Sequence, residues 1–117
     1  MRTIYIYQNC DSCRKAVKWL RENSLDHESK PIRETPPTPD ELRAALKSHR
    51  GDIRRLFNTA GNDYRELGLK DQLPTMTEAA AISLLSTNGN LVKRPFLSDG
   101  GKYLTGFKAE VWEKELL

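Results

Sequence analysis

Two cysteines separated by two residues, Cys10 and Cys13, have the type and spacing to carry out chemistry. They lie in the segment YQNCDSCRK, residues 7–15, and are the two cysteines of the 117-residue chain. A C-x-x-C pair is typical of a redox-active dithiol, of half a zinc site, or of two buried thiols. Zinc needs about four ligands, and His27 and His49 lie far from the pair in sequence. The pattern favours the redox-active pair, with no metal and no bound organic cofactor.

The flanking residues predict that Cys10 lies at the turn from a strand to a helix. Residues 3–7, TIYIY, are β-branched and aromatic, which indicates a short buried strand. From Asp11 the apolar positions follow a helical period to about Asn23. A sulfur at the start of that helix faces unpaired amides and the positive end of the helix dipole, which favour a thiolate. We therefore predict that Cys10 is a nucleophile and that Cys13 resolves a mixed disulfide formed on it.

The middle of the chain is predicted to be helical. Thr38 and Glu41 have the spacing of a capping box at a helix start. The segments GDIRRLFN and DYRELGL each indicate a short helix. Thr75 with Glu78 repeats the capping-box spacing, which predicts another helix to about Asn88.

Further strands and a last helix are predicted on either side of this middle block. The segment DHESKPIR, residues 26–33, indicates a second strand after the first helix. LVKRPFLSDGGKYLTGF, residues 91–107, is typical of a β-hairpin with a glycine-rich turn. Residues 108–116 predict an amphipathic helix with Val111 and Leu116 facing inward.

The order of elements is β-α-β, a helical block and β-β-α, which predicts an α/β fold. A βαβ unit supplies parallel strands, and the closing hairpin adds antiparallel ones. One mixed four-stranded sheet flanked by helices satisfies both, on a thioredoxin-like plan with an inserted helical subdomain. We expect a single domain over residues 1–117, with a core of about 1–37 and 89–117 and an insertion of about 38–88.

The composition restricts the function classes. Hydrophobic residues make up 38% and charged residues 30%, and the net charge is +3, which suits a globular protein. The sequence has no long basic run, which disfavours direct nucleic-acid binding. It also has no apolar run long enough to span a membrane. No secretory signal is recognisable, so we expect a cytoplasmic protein. A monomer is the default expectation for its oligomeric state. Cytosolic thiols are kept reduced, which disfavours a purely structural disulfide.

Four segments carry a resemblance to a known family: CDSCRK, YRELGL at 64–69, LVKRPFL at 91–97 and GF at 106–107. With them the chain resembles the arsenate reductase (ArsC)/Spx/YffB family of thioredoxin-like proteins over its whole length. It is most similar to the uncharacterised ArsC-like reductase branch. Gln8 stands where the family often has a proline two residues before the first cysteine.

The resemblance also implies a substrate site. Glutathione-dependent arsenate reductases of the family hold the oxyanion with three arginines, whose places fall here on Asn58, Arg94 and Gly106. The arginine one turn after the nucleophile is matched by Arg14, and Pro95 is expected to shape the pocket, with its isomer left open. Hydrogen bonds to charged groups contribute about 1.5–3 kcal/mol each, so the loss of two arginines implies weak arsenate reduction.

Two functions follow from the resemblance. The first is a thiol-disulfide oxidoreductase that takes electrons from glutathione or a protein thiol of the glutaredoxin or thioredoxin system. The second is a Spx-like regulator that binds RNA polymerase and senses oxidation through the same cysteines. LFNTAGNDYRELGL, residues 56–69, is more similar to the reductase branch.

Overall fold

The computed structural model describes residues 2–117 and contains one mixed four-stranded sheet. Its strands are β1 (Arg2–Ile6), β2 (His27–Pro31), β3 (Phe96–Asp99) and β4 (Lys102–Thr105). They lie in the order β2-β1-β3-β4, with β1 and β2 parallel and the other neighbours antiparallel. The predicted α/β class and the mixed sheet are confirmed.

Helices cover the sheet. They are α1 (Asp11–Glu22), α2 (Pro39–Ser48), α3 (Asn62–Glu66), α4 (Leu69–Gln72), α5 (Glu78–Thr87) and α6 (Ala109–Leu116), with 3-10 turns at Ile53–Leu56, Leu73–Thr75 and Gly89–Leu91. The helices from α2 to α5 lie between β2 and β3 in the chain, where the helical block was expected. The division into a core and an insertion stays a prediction.

Side chains of the strands alternate between two hydrophobic clusters, as the two-residue period of a strand requires. We call one cluster the thiol face; it joins sheet residues to helices α1 and α6, and its buried members are Ile4, Ala16, Leu20, Leu97, Leu104 and Trp112. We call the other the block face; it joins the opposite side of the sheet to the helices of the middle block. Its buried members include Tyr5, Leu42, Ala45, Leu56, Ile82, Leu85 and Phe96.

The hairpin strand β3 is shorter than predicted. It begins at Phe96, because the preceding Pro95 has no amide hydrogen to donate to a neighbouring strand. The segment before it pairs instead with the loop after Leu56: the amide of Lys93 donates to the carbonyl of Leu56 at 2.8 Å.

The register of α6 differs from the prediction. Val111 was expected to face inward and is 43% exposed, whereas Trp112 is 1% exposed. The Trp112 indole fills the thiol face, and its Nε1 donates to the carbonyl of Gly106 at 3.1 Å. Its ring centroid lies 6.1 Å from that of Trp19 in α1 and 5.0 Å from that of Phe107. A large ring with a hydrogen-bonded tip therefore sets the rotation of this helix.

One of the two predicted capping boxes is wrong. The box of Thr38 and Glu41 is present at the start of α2. Thr75 instead ends a 3-10 turn, and its hydroxyl donates to the carbonyl of Gln72 at 3.2 Å. Helix α5 is capped by Thr77, whose Oγ1 accepts the amide of Ala80 at 3.1 Å. The turn continues the preceding helix, so the next one begins two residues later than expected.

Two close contacts attach the middle block to the sheet. The Tyr5 hydroxyl in β1 donates to the carboxylate of Glu41 in α2 at 2.7 Å. The backbone at Gly89 passes so close to the chain after β2 that a Cβ there would lie 1.8 Å from the carbonyl oxygen of Ile32. Only glycine fits at that crossing.

Candidate active site

Cys10 is the N-cap of α1. Strand β1 ends at Ile6, and a short turn brings the chain to Cys10, whose backbone is extended (φ −124°, ψ 114°). Its Sγ accepts the amide of Cys13 at 3.3 Å, the bond that a serine or aspartate oxygen would accept at a typical helix start. The sulfur is partly exposed and faces the positive end of the helix dipole. Both features direct an N–H group or partial positive charge at the sulfur.

Cys13 lies one turn further along, in a different environment. It is 1% exposed and shares the inward side of α1 with Ala16 and Leu20. Burial, followed by the hydrogen bond to Cys10, raises the pKa of the Cys13 thiol to about 12, although the charge of Arg94 acts against this rise. Both cysteines are free. The structure therefore places together an accessible thiol at a helix start and a buried, protonated one.

The Arg94–Pro95 peptide bond is cis, which settles the isomer that the sequence left open. Pro95 is buried, and its carbonyl accepts the amide of Gly106 at 2.9 Å. The guanidinium of Arg94 lies 4.9 Å from the ring centroid of Tyr7, and the guanidinium of Arg33 lies at the same distance from that ring. Such cation–π contacts hold both cations beside the turn before α1.

Arg94 carries an unused donor. Its Nη1 is buried and has no hydrogen-bond partner among the described residues. A buried charged donor without a partner costs free energy, so an anionic ligand at this atom would recover that cost. Arg94 and Asn58 line one cavity of about 170 Å³ together with Tyr7 and Arg33. The structure thus brings two of the predicted substrate-binding residues together.

The guanidinium of Arg14 makes its polar contacts with residues of the turn before α1 and of its first position. Its guanidinium pairs with the carboxylate of Asp11, and Nη1 donates to the carbonyl of Gln8 at 2.8 Å. The side chain therefore closes the turn before α1. Its predicted contact with a substrate stays a prediction, as do the roles of the other site residues.

A second cavity, of about 450 Å³, was not predicted from the sequence, and we call it the basic cavity. It is lined by Arg94 and Gly106 and by Ser12 in the first turn of α1. Its other cationic or titratable lining residues are His49, Arg54, Arg55, Lys93 and Lys108. Two adjacent cationic pairs, Arg54 with Arg55 and Lys93 with Arg94, are the local signals in the sequence; Ser12, His49 and the residues around Gly106 come from separate segments.

His49 lines the basic cavity and is half-buried. Its Nε2 lies 3.4 Å from the hydroxyl of Thr105 in β4. Burial, followed by the charge of Arg55, lowers the pKa of His49, and the nearby Asp52 opposes this effect. The position at the end of α2 placed this residue against the sheet, which its polar sequence neighbours did not indicate.

Two kinds of feature are absent from the described residues. No group of three or more histidine, cysteine or acidic side chains within residues 2–117 is arranged to hold a metal ion. Among the same residues, no helix has both the length and the apolar character needed to cross a membrane.

Comparison with known proteins gives matches over nearly the whole chain. The model of the ArsC family matches residues 5–115. The uncharacterised protein YusI of Bacillus subtilis is 42% identical over 112 residues, which cover 96% of this chain and 95% of YusI. The crystal structure of a possible arsenate reductase from Streptococcus mutans superposes with a TM-score of 0.89 at 34% identity, covering 97% of this chain and 98% of that one.

A regulator also matches. The global transcriptional regulator Spx 2 of Bacillus anthracis is 28% identical over 116 residues, which cover 99% of this chain and 87% of Spx 2. The chain therefore matches proteins whose names refer to two different activities, a possible arsenate reductase and a transcriptional regulator.

Proposed function

Because the chain belongs to the ArsC family, with its thioredoxin-like fold, we propose that it is a thiol-disulfide oxidoreductase. Cys10 acts as the nucleophile and Cys13 as the resolving thiol. The observation that carries the proposal is the position of the two sulfurs: Sγ of Cys10 caps α1 and accepts the amide of Cys13, whose own thiol lies buried beside it. This arrangement supports a mechanism in which the accessible sulfur attacks the substrate and the buried thiol then attacks the mixed disulfide.

The reaction proceeds in two exchanges. The Cys10 thiolate attacks one sulfur of a substrate disulfide and bonds to it, while the other half of the substrate leaves as a thiolate and takes a proton from water. Cys13 then loses its proton and attacks Sγ of Cys10, which releases the second half as a thiolate and leaves a Cys10–Cys13 disulfide. Two electrons pass from the protein to the substrate. Two external thiols, or one external dithiol, then reduce the Cys10–Cys13 disulfide by the same kind of exchange and leave as the oxidised donor disulfide.

The raised pKa of Cys13 orders these steps. Two of its causes are the hydrogen bond to Cys10 and the negative charge of Cys10. Both disappear when Cys10 enters a mixed disulfide, whereas the opposing charge of Arg94 remains. Cys13 is therefore easier to deprotonate after the first exchange than before it.

The electron donor is proposed to be glutathione or a protein thiol of the glutaredoxin or thioredoxin system, acting in the cytoplasm on a monomeric protein. The test is reduction of a neutral mixed disulfide with each donor system in turn. Turnover with at least one donor is expected. Cys10→Ser should reduce the rate to background, a loss of at least about 10³-fold, while Cys13→Ser still forms a mixed disulfide. Equal activity of wild type and Cys10→Ser would refute the proposal.

Arsenate reduction is expected to be weak. Asn58 and Gly106 stand at the places of two oxyanion-binding arginines, so Arg94 is left to hold a dianion beside a thiolate. Positioning such an anion depends on fixed charges on several sides. Gly106 has φ +70°, and a Cβ there would lie 3.2 Å from the Lys93 side chain, so an arginine does not fit there without strain. Saturable arsenate turnover by the unmodified protein would contradict this expectation.

A second candidate function is a redox-sensing regulator that binds RNA polymerase. The similarity to Spx 2 over 99% of the chain favours it, together with the C-x-x-C pair. Passing reduced and oxidised protein over immobilised RNA polymerase distinguishes the two functions. A regulator is retained in one redox state, and an oxidoreductase passes through in both.

A further inference from the structure

We propose that the basic cavity selects acidic peptide disulfides, with the carboxylates of the peptide in the cavity and its disulfide at Cys10. The inference rests on the proposed oxidoreductase function and adds a substrate class to it. It depends on cavity residues outside the predicted Arg14, Asn58, Arg94 and Pro95 site.

All the permanently charged side chains that line the cavity are positive. Four side chains besides Arg94 bring permanent positive charge to its lining: Arg54, Arg55, Lys93 and Lys108. No aspartate or glutamate lines it, and none of these cations takes part in a salt bridge recorded for residues 2–117. Asp52 is an acidic neighbour that acts on His49 from outside the lining. The like charges within the lining repel one another, and an anion that enters the cavity relieves this repulsion.

The cavity lies beside the reactive sulfur. Ser12, in the first turn of α1 and two residues after Cys10, forms part of its wall. Arg94 lines both this cavity and the smaller one, and its charge acts on Cys13. A ligand held in the basic cavity is therefore within one helical turn of the site of exchange.

The floor of the cavity is apolar and points to a peptide. It is formed by aromatic and aliphatic side chains: Phe57, Leu104, Phe107, Val111 and Trp112. Carboxylates at a cationic rim and aliphatic stems on an apolar floor match a peptide rich in glutamate. A volume of about 450 Å³ holds a few side chains, and it lacks the extended basic stripe that follows a nucleic-acid backbone.

The reaction is the thiol-disulfide exchange described above, and its leaving group is one half of the acidic peptide disulfide. The Cys10 thiolate bonds to one sulfur of the peptide disulfide, and the other sulfur leaves as a thiolate. An acidic peptide slows its own attack by a thiolate through charge repulsion, so a reductase for such substrates needs positive charge near the leaving group. The cations of the basic cavity supply it.

The experiment compares three disulfide peptides that are identical except for the residues flanking the cysteine: glutamate, glutamine or lysine. The expected order of kcat/KM is glutamate, then glutamine, then lysine. The glutamate peptide should lead by about tenfold at low salt, and the ratio should shrink as ionic strength rises. In Arg54→Gln/Lys108→Gln the ratio of glutamate to glutamine should fall close to one. Lys70→Gln/Lys114→Gln removes the same charge from exposed residues outside the cavity and should retain the ratio.

The possible failures are distinguishable. Turnover of all three peptides at equal rates would overturn this inference and leave the oxidoreductase function intact. If no peptide is reduced, the proposed function fails, and binding of a fluorescent glutamate peptide without cysteine decides the inference by itself. Binding lost in Arg54→Gln/Lys108→Gln but kept in the control supports the acidic-peptide site. A single-stranded oligonucleotide that binds more tightly than this peptide would assign the cavity to nucleic acid and overturn the inference.

Discussion

The two faces of the sheet differ in how they contribute to the site. The thiol face is small and lies against α1, which is capped by Cys10 and carries Cys13 on its inward side, and Trp112 closes its core. The block face is larger and lies against the helices of the middle block, and from its side come Arg54, Arg55 and Asn58. In the proposed function, reactivity depends on one helix start, whereas recognition also uses cations from the middle block. Variants in the two regions test whether the two properties change independently.

The largest expected effect tests how tightly the block is attached to the sheet. Gly89→Ala should lower the free energy of unfolding by about 2–4 kcal/mol, because its Cβ would meet the carbonyl of Ile32. Gly100→Ala is the matched control: its φ is +53° and nothing lies within 4 Å of the added Cβ, so it should cost about 1 kcal/mol. Urea denaturation of both variants measures the difference. Equal costs would show that the block tolerates displacement at this crossing.

The next prediction concerns how the free energy of unfolding depends on alkaline pH, through one titratable group on each face. The pKa of Cys13 is raised to about 12 on the thiol face, and that of Tyr5 is raised on the block face, first by burial and then by Glu41. Unfolded cysteine loses its proton near pH 8.5 while the folded state keeps it, so stability falls as pH rises from about 9 to 12. Each group contributes at most about 1.4 kcal/mol per pH unit.

Denaturation under reducing conditions at stepped pH values measures this slope. Cys13→Ala should flatten it from about pH 9 upward. Tyr5→Phe should flatten it from about pH 10 upward, because unfolded tyrosine ionises there. A wild-type slope that neither variant changes would contradict both pKa shifts.

A smaller effect is confined to the block. Thr77→Ala should cost about 1 kcal/mol, because it removes the acceptor for the amide of Ala80 at the start of α5. Thr75→Ala should change stability by less than about 0.5 kcal/mol, since that exposed hydroxyl caps no helix. The rate of Cys10 alkylation should be the same in both variants. A change in that rate would show that the two faces are coupled.

The smallest effect is expected on the acid side, at the edge where the faces meet. Burial and Arg55 lower the pKa of His49, so the unfolded chain binds a proton at a higher pH than the folded one. Stability should therefore fall as pH drops below about 6.5, and His49→Gln should reduce that slope. Asp52 opposes the shift, so Asp52→Asn should steepen the slope slightly. Parallel curves for wild type and His49→Gln would refute the shift.

The sequence predicted what local patterns determine. The strand-to-helix turn at Cys10 and the capping box of Thr38 follow from neighbouring residues, and both are found where expected. In α6 the inward position of Leu116 agrees with the prediction, whereas that of Val111 was wrong, and so was the start of α5. The packing of Trp112 and the continuation of a helix through Thr75 are decided by contacts outside the pattern. The basic cavity could not be predicted, since its cations come from segments that only the folded chain brings together.

The contact between Trp19 and Trp112 makes tryptophan fluorescence a probe of one face of the sheet. These are the two tryptophans of the chain, and both belong to the thiol face, with ring centroids 6.1 Å apart. Tryptophan emission, excited at the red edge of the absorption band, therefore reports on the packing of α1 against α6. It does not report on the middle block. Circular dichroism in the far ultraviolet records the helices of both faces. If the two signals change at the same urea concentration, the faces unfold as one unit; if emission changes separately, they do not.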